Sequence, residues 1–341
     1  MRLSSIWALL FALLVVTLIA ATAFGAVSLS PGAVVRALAL GAGILSNPDP
    51  NSDWIGVIIF DLRLPRALLA SVCGGGLAIA GAAMQGVFRN PMADPGIIGV
   101  SAGAALGAVV GLYFTGALAP YTVPSFAFAA GVGAAWLAYR IAARRGRASV
   151  MSLLLAGVAI GAIANAFVSL VLMLSLADWE VGREMLGWLM GGLEGRSWPH
   201  LALAAPMVVG GSASLWFYGR DLNLLLTGEE SALSLGVDVP RVRRDLIALS
   251  SLVAAATVAV IGIVGFVGLI VPHIVRLWVG SDHRIVLPLS FAVGAIFLPW
   301  ADLLCRLSTT TDLRLGVITA LLGGPYFLYL LVRHQRERRD V

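Results

Sequence analysis

The chain has 341 residues, of which 59% are hydrophobic and 12% are charged. Because soluble domains average about 25% charged residues, this composition excludes an ordinary soluble domain and predicts an all-α, polytopic membrane protein. The net charge of +5 does not indicate nucleic-acid binding, because most basic residues are concentrated in a few loops, where they set membrane topology.

Ten apolar runs follow one another along the chain, at residues 6–27, 65–86, 96–115, 122–143, 151–176, 198–218, 245–269, 271–281, 285–306 and 314–332. The run at 271–281 is too short to cross a bilayer unaided, since a spanning helix needs roughly 20 residues. We interpret the first run as an uncleaved helix. The alternative is a signal peptide, whose apolar core is usually about 7–15 residues long.

The sequence is organised around residues 63–103. An apolar helix opens at Pro65 and Arg66, the polar segment FRNPMADPG interrupts it, and a second apolar run follows. Broken backbone at membrane depth is tolerated only where it is buried in protein or lines a water-filled cavity. The pattern therefore predicts a helix–break–helix unit beside a transport pathway.

The arginines in short loops predict the orientation of the chain. Four of them follow the fourth apolar run (Arg140, Arg144, Arg145 and Arg147), and four lie in the tail (Arg333, Arg336, Arg338 and Arg339). Ten passes place both segments, the charged loop 219–245 and both termini in the cytoplasm. An odd number would put the two arginine-rich segments on opposite sides.

Small residues and cysteines predict tight internal packing. Gly103, Gly107 and Gly111 are spaced four apart, and Gly157 and Gly161 repeat that spacing. Such a face can form a dimer contact, but within a ten-helix chain we favour packing between helices of one chain. The two cysteines, Cys73 and Cys305, fall inside apolar runs and are expected to be small buried hydrophobic residues.

The loop 219–244 is long and charged, and we expect it to lie outside the membrane. Thr227 is predicted to N-cap a short helix that Gly236 ends, and this helix carries apolar Leu233 and Leu235. Two interpretations stay open. The loop is either a self-contained surface helix or a docking helix whose apolar residues fill a groove in a soluble partner.

The sequence contains no Walker A, HExxH or CxxC motif. We therefore expect no catalytic residue, no metal site and no cofactor on this chain, and no enzymatic activity of its own. ATP would be used by a separate partner subunit.

Several segments resemble the FecCD family, the permease subunits of type II ABC importers for vitamin B12, ferric siderophores and haem. They are LRLPRALLA, GAAMQGVFRNPMADPGIIGVSAGA, LLLAGVAI, ALSLGV, GIVGFVGLIVPHIVR and GVITALLGGPYFLYLL, within residues 60–332. The resemblance implies one permease domain over residues 1–341, with ten membrane helices and cytoplasmic termini, in the bacterial inner membrane. It also implies a second permease copy, two cytoplasmic ATPases, a periplasmic binding protein and surrounding lipid.

The resemblance also assigns roles to particular residues. Those expected to contact the binding protein are Arg63, Arg66 and Arg306; those expected at the gate are Asn90, Met92, Val150 and Met151. Those expected to dock the ATPase are Leu225, Thr227, Glu229, Ala232, Leu233, Leu235 and Gly236. Where the family usually reads Glu-Leu-Pro-Val-Gly, this chain reads Asp312-Leu-Arg-Leu-Gly316, which loses the proline and gains Arg314 at the outer mouth.

The sequence is thus interpreted as the membrane subunit of an ATP-driven importer that moves haem or a ferric siderophore into the cytoplasm. Cobalamin is the alternative cargo. An ion-coupled secondary transporter is the alternative class, but it would need a charged or unwound ion site at mid-membrane. The middle of the fifth and tenth runs is instead made of Ala, Gly, Leu and Val, with Asn165 the main polar exception.

Overall fold

The computed structural model describes residues 3–25, 27–41, 53–115, 121–144, 147–175, 178–308 and 313–337. The helices of these residues are α1 (Leu3–Ala23), α2 (Pro31–Gly41), α3 (Asp53–Val57), α4 (Leu64–Phe88), α5 (Val100–Thr115), α6 (Thr122–Ala142), α7 (Val150–Leu174), α8 (Trp179–Leu189), α9 (Trp198–Phe217), α10 (Gly219–Leu226), α11 (Glu229–Ser234), α12 (Val239–Ile261), α13 (Val267–Val279), α14 (His283–Ser308) and α15 (Leu315–Glu337). A π-helix over Ile58–Arg63 joins α3 to α4, and a 3₁₀ turn over Pro95–Ile98 precedes α5. The strands β1 (Ala143–Arg144) and β2 (Arg147–Ala148) form one short antiparallel ladder between α6 and α7.

Seven of the described helical stretches are long and apolar enough to cross a membrane. They are α1, the continuous stretch through α3 and α4, α6, α7, α9, α12 and α14. The shorter apolar helices α5, α13 and α15 coincide with the three remaining predicted runs. The all-α polytopic fold with about ten membrane helices is therefore confirmed. The short apolar helix α2 was not predicted.

Helix α4 lies at the centre of the bundle. Of the most apolar part of α3–α4, 89% is buried by the rest of the chain, against 17% for α7. Small residues allow the close approach that this burial requires. A Cβ at Gly74 would lie 2.3 Å from the carbonyl oxygen of Gly294 in α14, and one at Gly81 would lie 2.1 Å from that of Gly268 in α13.

The glycine spacings serve packing within the chain, as predicted. A Cβ at Gly107 would lie 2.2 Å from the carbonyl oxygen of Phe126 in α6, so this face of α5 is covered. A Cβ at Gly157 would lie 2.3 Å from the carbonyl oxygen of Ile97, which places α7 directly against the 3₁₀ turn. Cys73 and Cys305 are both free and buried, which confirms their prediction as small core residues.

The bundle has two ends, which the long helix α4 connects. Arg66 in its first turn lies beside Asp302 and Arg306 of α14, and we call this the arginine end. Its last turns lie against α10 and the start of α14, and we call this the loop end. A helix of this length spans roughly 37 Å at about 1.5 Å per residue, close to the thickness of a bilayer.

Replacing Gly74 by alanine should destabilise the bundle, because the added methyl group meets the backbone of Gly294 rather than a movable side chain. We expect the free energy of unfolding to fall by about 1–3 kcal/mol, as overpacked cores show. The matched control is Gly133→Ala in α6, where a Cβ meets nothing within 4 Å. Thermal unfolding in detergent measures both. Equal stability of the two variants would contradict the close α4–α14 contact.

Candidate transport and docking sites

The break between α4 and α5 is shaped by its own side chains. Arg89 takes a left-handed backbone conformation with φ of 48°, which ends α4. The Oδ1 atom of Asn90 accepts a hydrogen bond from the backbone N–H of Met92 at 2.9 Å. The Oδ1 atom of Asp94 accepts one from the N–H of Gly96 at 2.8 Å and starts the 3₁₀ turn. The predicted helix–break–helix unit is therefore present.

The loop-end half of α4 is tied to α13 by a buried amide. The Nε2 atom of Gln85 donates to the carbonyl of Gly268 at 3.0 Å, and its Oε1 atom accepts from Arg276. The Oδ2 atom of Asp94 lies against the backbone of Gly268 as well. The sequence analysis missed Gln85, whose signal was a lone amide in an otherwise apolar helix.

The two segments predicted to form the gate both lie at the loop end. Met92 is 38% exposed and Met151, in the first turn of α7, is 67% exposed. Ser149 caps α7 by accepting a hydrogen bond from the N–H of Ser152 at 3.1 Å. Helix α7 contacts the 3₁₀ turn that follows the break, through Gly157 and Ile97. A gating role for these residues stays a prediction.

The loop 219–244 folds into α10 and α11, with apolar residues on both faces. Leu225 and Ala232 are buried and hold this unit against the bundle. Leu233 and Leu235 are 55% and 60% exposed, and Leu226, which was not predicted, is also exposed. The loop is therefore anchored to the main core by its buried residues and also carries exposed apolar side chains, which we call the leucine surface (Leu226, Leu233 and Leu235).

The predicted capping role of Thr227 is wrong. Its backbone is still helical, so it ends α10, and its hydroxyl donates to the carbonyl of Leu224 at 2.8 Å. The N-cap of α11 is Gly228, whose φ of 125° lies in a region that favours glycine. Gly236, with φ of 84°, follows α11 as predicted.

Helix α10 is bonded to the start of α14 through Asn223. Its Oδ1 atom accepts from the N–H of His283 at 2.8 Å, and its Nδ2 atom donates to Asp282 at 2.6 Å. Asp282 in turn accepts from the N–H of Arg284 at 2.9 Å, which caps α14. The hydrogen bond from Asn223 is the main reason why the pKa of Asp282 is lowered. The cap is therefore ionised at neutral pH.

A groove of about 480 Å³ lies between α11, the start of α12 and the α6–α7 connection. Leu233 of the leucine surface and Val150 of the predicted gate both line it. Glu229 lies there too and forms an ion pair with Arg243 of α12. The structure thus places a predicted docking residue and a predicted gate residue on the walls of one groove.

Arg63 is almost fully buried at the arginine end. It is 9% exposed, and its guanidinium donates to the carbonyls of Thr22 and Ala23, each at 2.8 Å, and to that of Val27. These contacts satisfy carbonyls at the end of α1 that have no partner within the helix. A contact between Arg63 and a binding protein stays a prediction.

Arg66 and Arg306 share one buried carboxylate. Arg66 binds Asp302 through two nitrogens, Nη2 at 2.7 Å and Nε at 3.1 Å, and the side chain of Asp302 is 3% exposed. Arg306 approaches Asp302 at 3.1 Å and donates to carbonyls of Phe24 and Ala21. The cluster therefore joins α1, α4 and α14. Its sequence signal was the i, i+4 spacing of Asp302 and Arg306.

The described residues form a helical membrane bundle with a hydrogen-bonded break and an exposed leucine surface at its loop end. This arrangement suits a membrane transport subunit. The FecCD transport family matches residues 13–333. The chain belongs to this family.

Individual relatives agree with this assignment. The cobalamin import system permease protein BtuC of Halobacterium salinarum is 48% identical over 278 residues, which cover 81% of this chain and 73% of that protein. The hemin transport system permease protein HmuU of Yersinia pestis is 39% identical, covering 89% and 91%. A solved structure described as an inward-facing conformation of an ABC transporter of the metal-chelate type matches with a TM-score of 0.84 and 32% identity, covering 97% and 99%.

Replacing Arg66 by glutamine should destabilise the arginine end, because Asp302 then loses its bidentate ion pair with the guanidinium. Hydrogen bonds to charged groups contribute about 1.5–3 kcal/mol, so we expect a loss of about 2 kcal/mol in the free energy of unfolding. The control is Arg241→Gln, whose side chain is 71% exposed and pairs with Asp245 at 3.8 Å. That variant should lose less than about 1 kcal/mol. Chemical unfolding in detergent compares the two, and equal losses would contradict a structural role for the Arg66–Asp302 pair.

Proposed function

We propose that this chain is the membrane subunit of an ATP-driven importer for a bulky metal chelate. The observation that carries the proposal is the leucine surface at the loop end of a FecCD-family chain whose sequence has no nucleotide-binding motif. Exposed apolar residues on a short helix outside the membrane suit the groove of a soluble partner. We assign that partner as the ATPase, and residues 1–341 as one permease domain.

The remaining partners follow from the same assignment. The positive loops place the loop end in the cytoplasm of a bacterial cell, with two ATPases below it. A second copy of the chain covers the exposed face of α7 and forms the pathway with it, as a homodimer in the inner membrane. A periplasmic binding protein then docks at the arginine end.

Two candidate cargoes are supported, each by a different relative. Cobalamin is the first candidate, because a relative that is 48% identical is described as a cobalamin permease. An iron chelate, haem or a ferric siderophore, is the second candidate, because a hemin permease is 39% identical over 89% of this chain. Both are bulky ligands, which a pathway of small and apolar side chains holds by shape.

Uptake in the native host tests the function and separates the cargoes. Cells with this gene deleted, and the same cells with it restored, are given radiolabelled cobalamin, haemin or a ferric siderophore. We expect cells with the deletion to lose cobalamin uptake and cells with the gene restored to regain it. Inactivating the partner ATPase in the restored cells should abolish uptake again. Loss of haemin or siderophore uptake instead would select the second candidate. Uptake that follows an ion gradient without ATP hydrolysis would contradict the ABC importer.

The leucine surface should be needed to retain the ATPase. Changing Leu233 and Leu235 to aspartate places two charges where an apolar contact forms, so less than about a tenth of the ATPase should co-purify. The matched control changes Ser231 and Ser234 to aspartate, which adds the same charge to the same helix and removes no apolar side chain. Normal retention by the leucine variant would mean that α11 is a surface helix only.

The predicted gate should close the pathway when its two copies are cross-linked. Cysteine at Met92 or Met151, both exposed at the loop end, should form a cross-link between copies and stop uptake until reductant is added. Cysteine at Met190, which is exposed at the other end of the bundle, serves as the control. If the cross-link forms and uptake persists, these residues do not gate.

Partly exposed charge at the arginine end should speed binding-protein docking. The Arg66 side chain is 19% exposed, so Arg66→Gln should slow association severalfold at low salt and little at high salt. Arg66→Lys keeps the charge and should keep the rate. Stopped-flow experiments measure the rate at which the wild type and the two Arg66 variants associate with the binding protein. A wild-type rate for Arg66→Gln at low salt would make Arg66 a structural residue alone.

A further inference from the structure

A second cavity, of about 590 Å³, opens between α8, the segment 192–197 and the starts of α6 and α9. Its size falls within the range of roughly 300–1,000 Å³ that small-molecule sites occupy. It lies on the side of the bundle where α12 ends and α15 begins, away from the loop end. Neither the docking surfaces nor the break described above uses it.

The cavity contains more positive than negative charge. Its charged lining residues are Arg183, Glu184, Glu194, Arg196 and Arg314. Arg183 and Glu184 lie at its exposed rim. Glu194 forms an ion pair with Arg314 at 2.5 Å, the arginine that departs from the family pattern. Arg196 is therefore the inner cation that no carboxylate binds among the described residues.

Arg196 also has an unpaired donor of its own. Its Nε atom is buried and has no partner among the described residues. Its Nη1 atom lies 3.4 Å from Nε2 of His200, but Nδ1 of that ring accepts from the N–H of Ser197 at 3.3 Å. In the tautomer that accepts through Nδ1, the proton of the neutral imidazole lies on Nε2, which then cannot accept from Arg196. Burial lowers the pKa of Arg196, yet a guanidinium stays charged in proteins.

A second buried donor lines the same cavity. Trp188 is 7% exposed, and its indole Nε1–H has no hydrogen-bond partner among the described residues. Buried donors are almost always paired, so two unpaired donors on one cavity call for an acceptor that enters it. One of them is a cation, which makes an anionic acceptor the best match.

We propose that this cavity, the anion pocket, binds a carboxylate or phosphate group of the transported chelate. The inference rests on the proposed function. Arg196 supplies the charge and Trp188 a neutral donor, while the Glu194–Arg314 pair leaves Arg196 free for the ligand. The haem propionates and the cobalamin phosphodiester both supply such a group.

Fluorine NMR on the full-length protein in nanodiscs tests the pocket directly. The protein carries fluorotryptophan, and the Trp188 resonance is identified by its loss in Trp188→Phe. The probes are gallium protoporphyrin and its dimethyl ester, cobalamin and cobinamide, and inorganic phosphate. In each pair the second compound lacks the anionic group, so the comparison isolates that group.

We expect one anionic chelate to shift the Trp188 resonance at a concentration at least about tenfold lower than its matched analogue. Arg196→Gln should abolish this difference, and Arg196→Lys should restore part of it. The control Arg140→Gln removes an exposed arginine at the end of α6 and should leave the difference intact. Each variant is first checked for wild-type folding by thermal unfolding.

Other outcomes overturn the inference. Equal shifts by both members of each pair, or a difference that survives Arg196→Gln, would mean that no anionic group binds there. A shift with phosphate and with no chelate would make the pocket a site for free oxyanions, and the cargo assignment wrong. Cellular uptake of cobalamin or haemin without any response of the Trp188 resonance would contradict the anion pocket but not the proposed function. A response of the Trp188 resonance to phosphate, without cellular uptake of any chelate, would contradict the proposed function but not anion binding in the pocket.

Discussion

The close approach of helices to α4 is the constraint on which the rest of the structure depends. Gly74 and Gly81 bring the backbones of α14 and α13 against it without an intervening side chain. In a bilayer, lipid is as apolar as leucine, so association between helices depends on this packing rather than on the hydrophobic effect. With α4 held centrally, its two ends can carry different functions: an ion-pair cluster at one and a broken backbone at the other.

The arginine end shows how one buried carboxylate organises its surroundings. A buried charge is costly unless it is paired and hydrogen-bonded, and Asp302 meets that condition through two arginines. Arg306, together with Arg63, also satisfies carbonyls at the end of α1. Residues that the family resemblance assigns to a binding protein therefore also hold the first helix in place. A partner that drew Arg66 or Arg306 outward would have to compete with these internal bonds.

The sequence was sufficient for the fold because apolar runs and small-residue spacing are local signals. The helix–break–helix unit and the end of α11 at Gly236 could be predicted for the same reason. The position of Thr227 at the end of α10 could not be predicted, because a threonine suits an N-cap and its backbone conformation depends on where α10 ends. The burial of Arg63 depends on the position of α1, and the partners of Gln85 lie in α13, so neither contact is visible along the chain. The anion pocket likewise joins residues from distant parts of the sequence, and only their exposed or unpaired atoms reveal it.

At the loop end, the contacts suggest how movement of a docked partner would reach the pathway. Asn223 fixes α10 to the cap of α14, and α14 packs along the whole of α4. On the other side of the docking unit, Leu233 shares a groove with Val150 at the start of α7. A displacement of α11 would thus act on α7 across a deformable groove and on α14 through hydrogen bonds. Because hydrogen bonds transmit displacement more rigidly than an open groove does, α14 and α4 should move with the docking unit while α7 changes its position relative to them. That relative movement would change the contact between α7 and the 3₁₀ turn that follows the break.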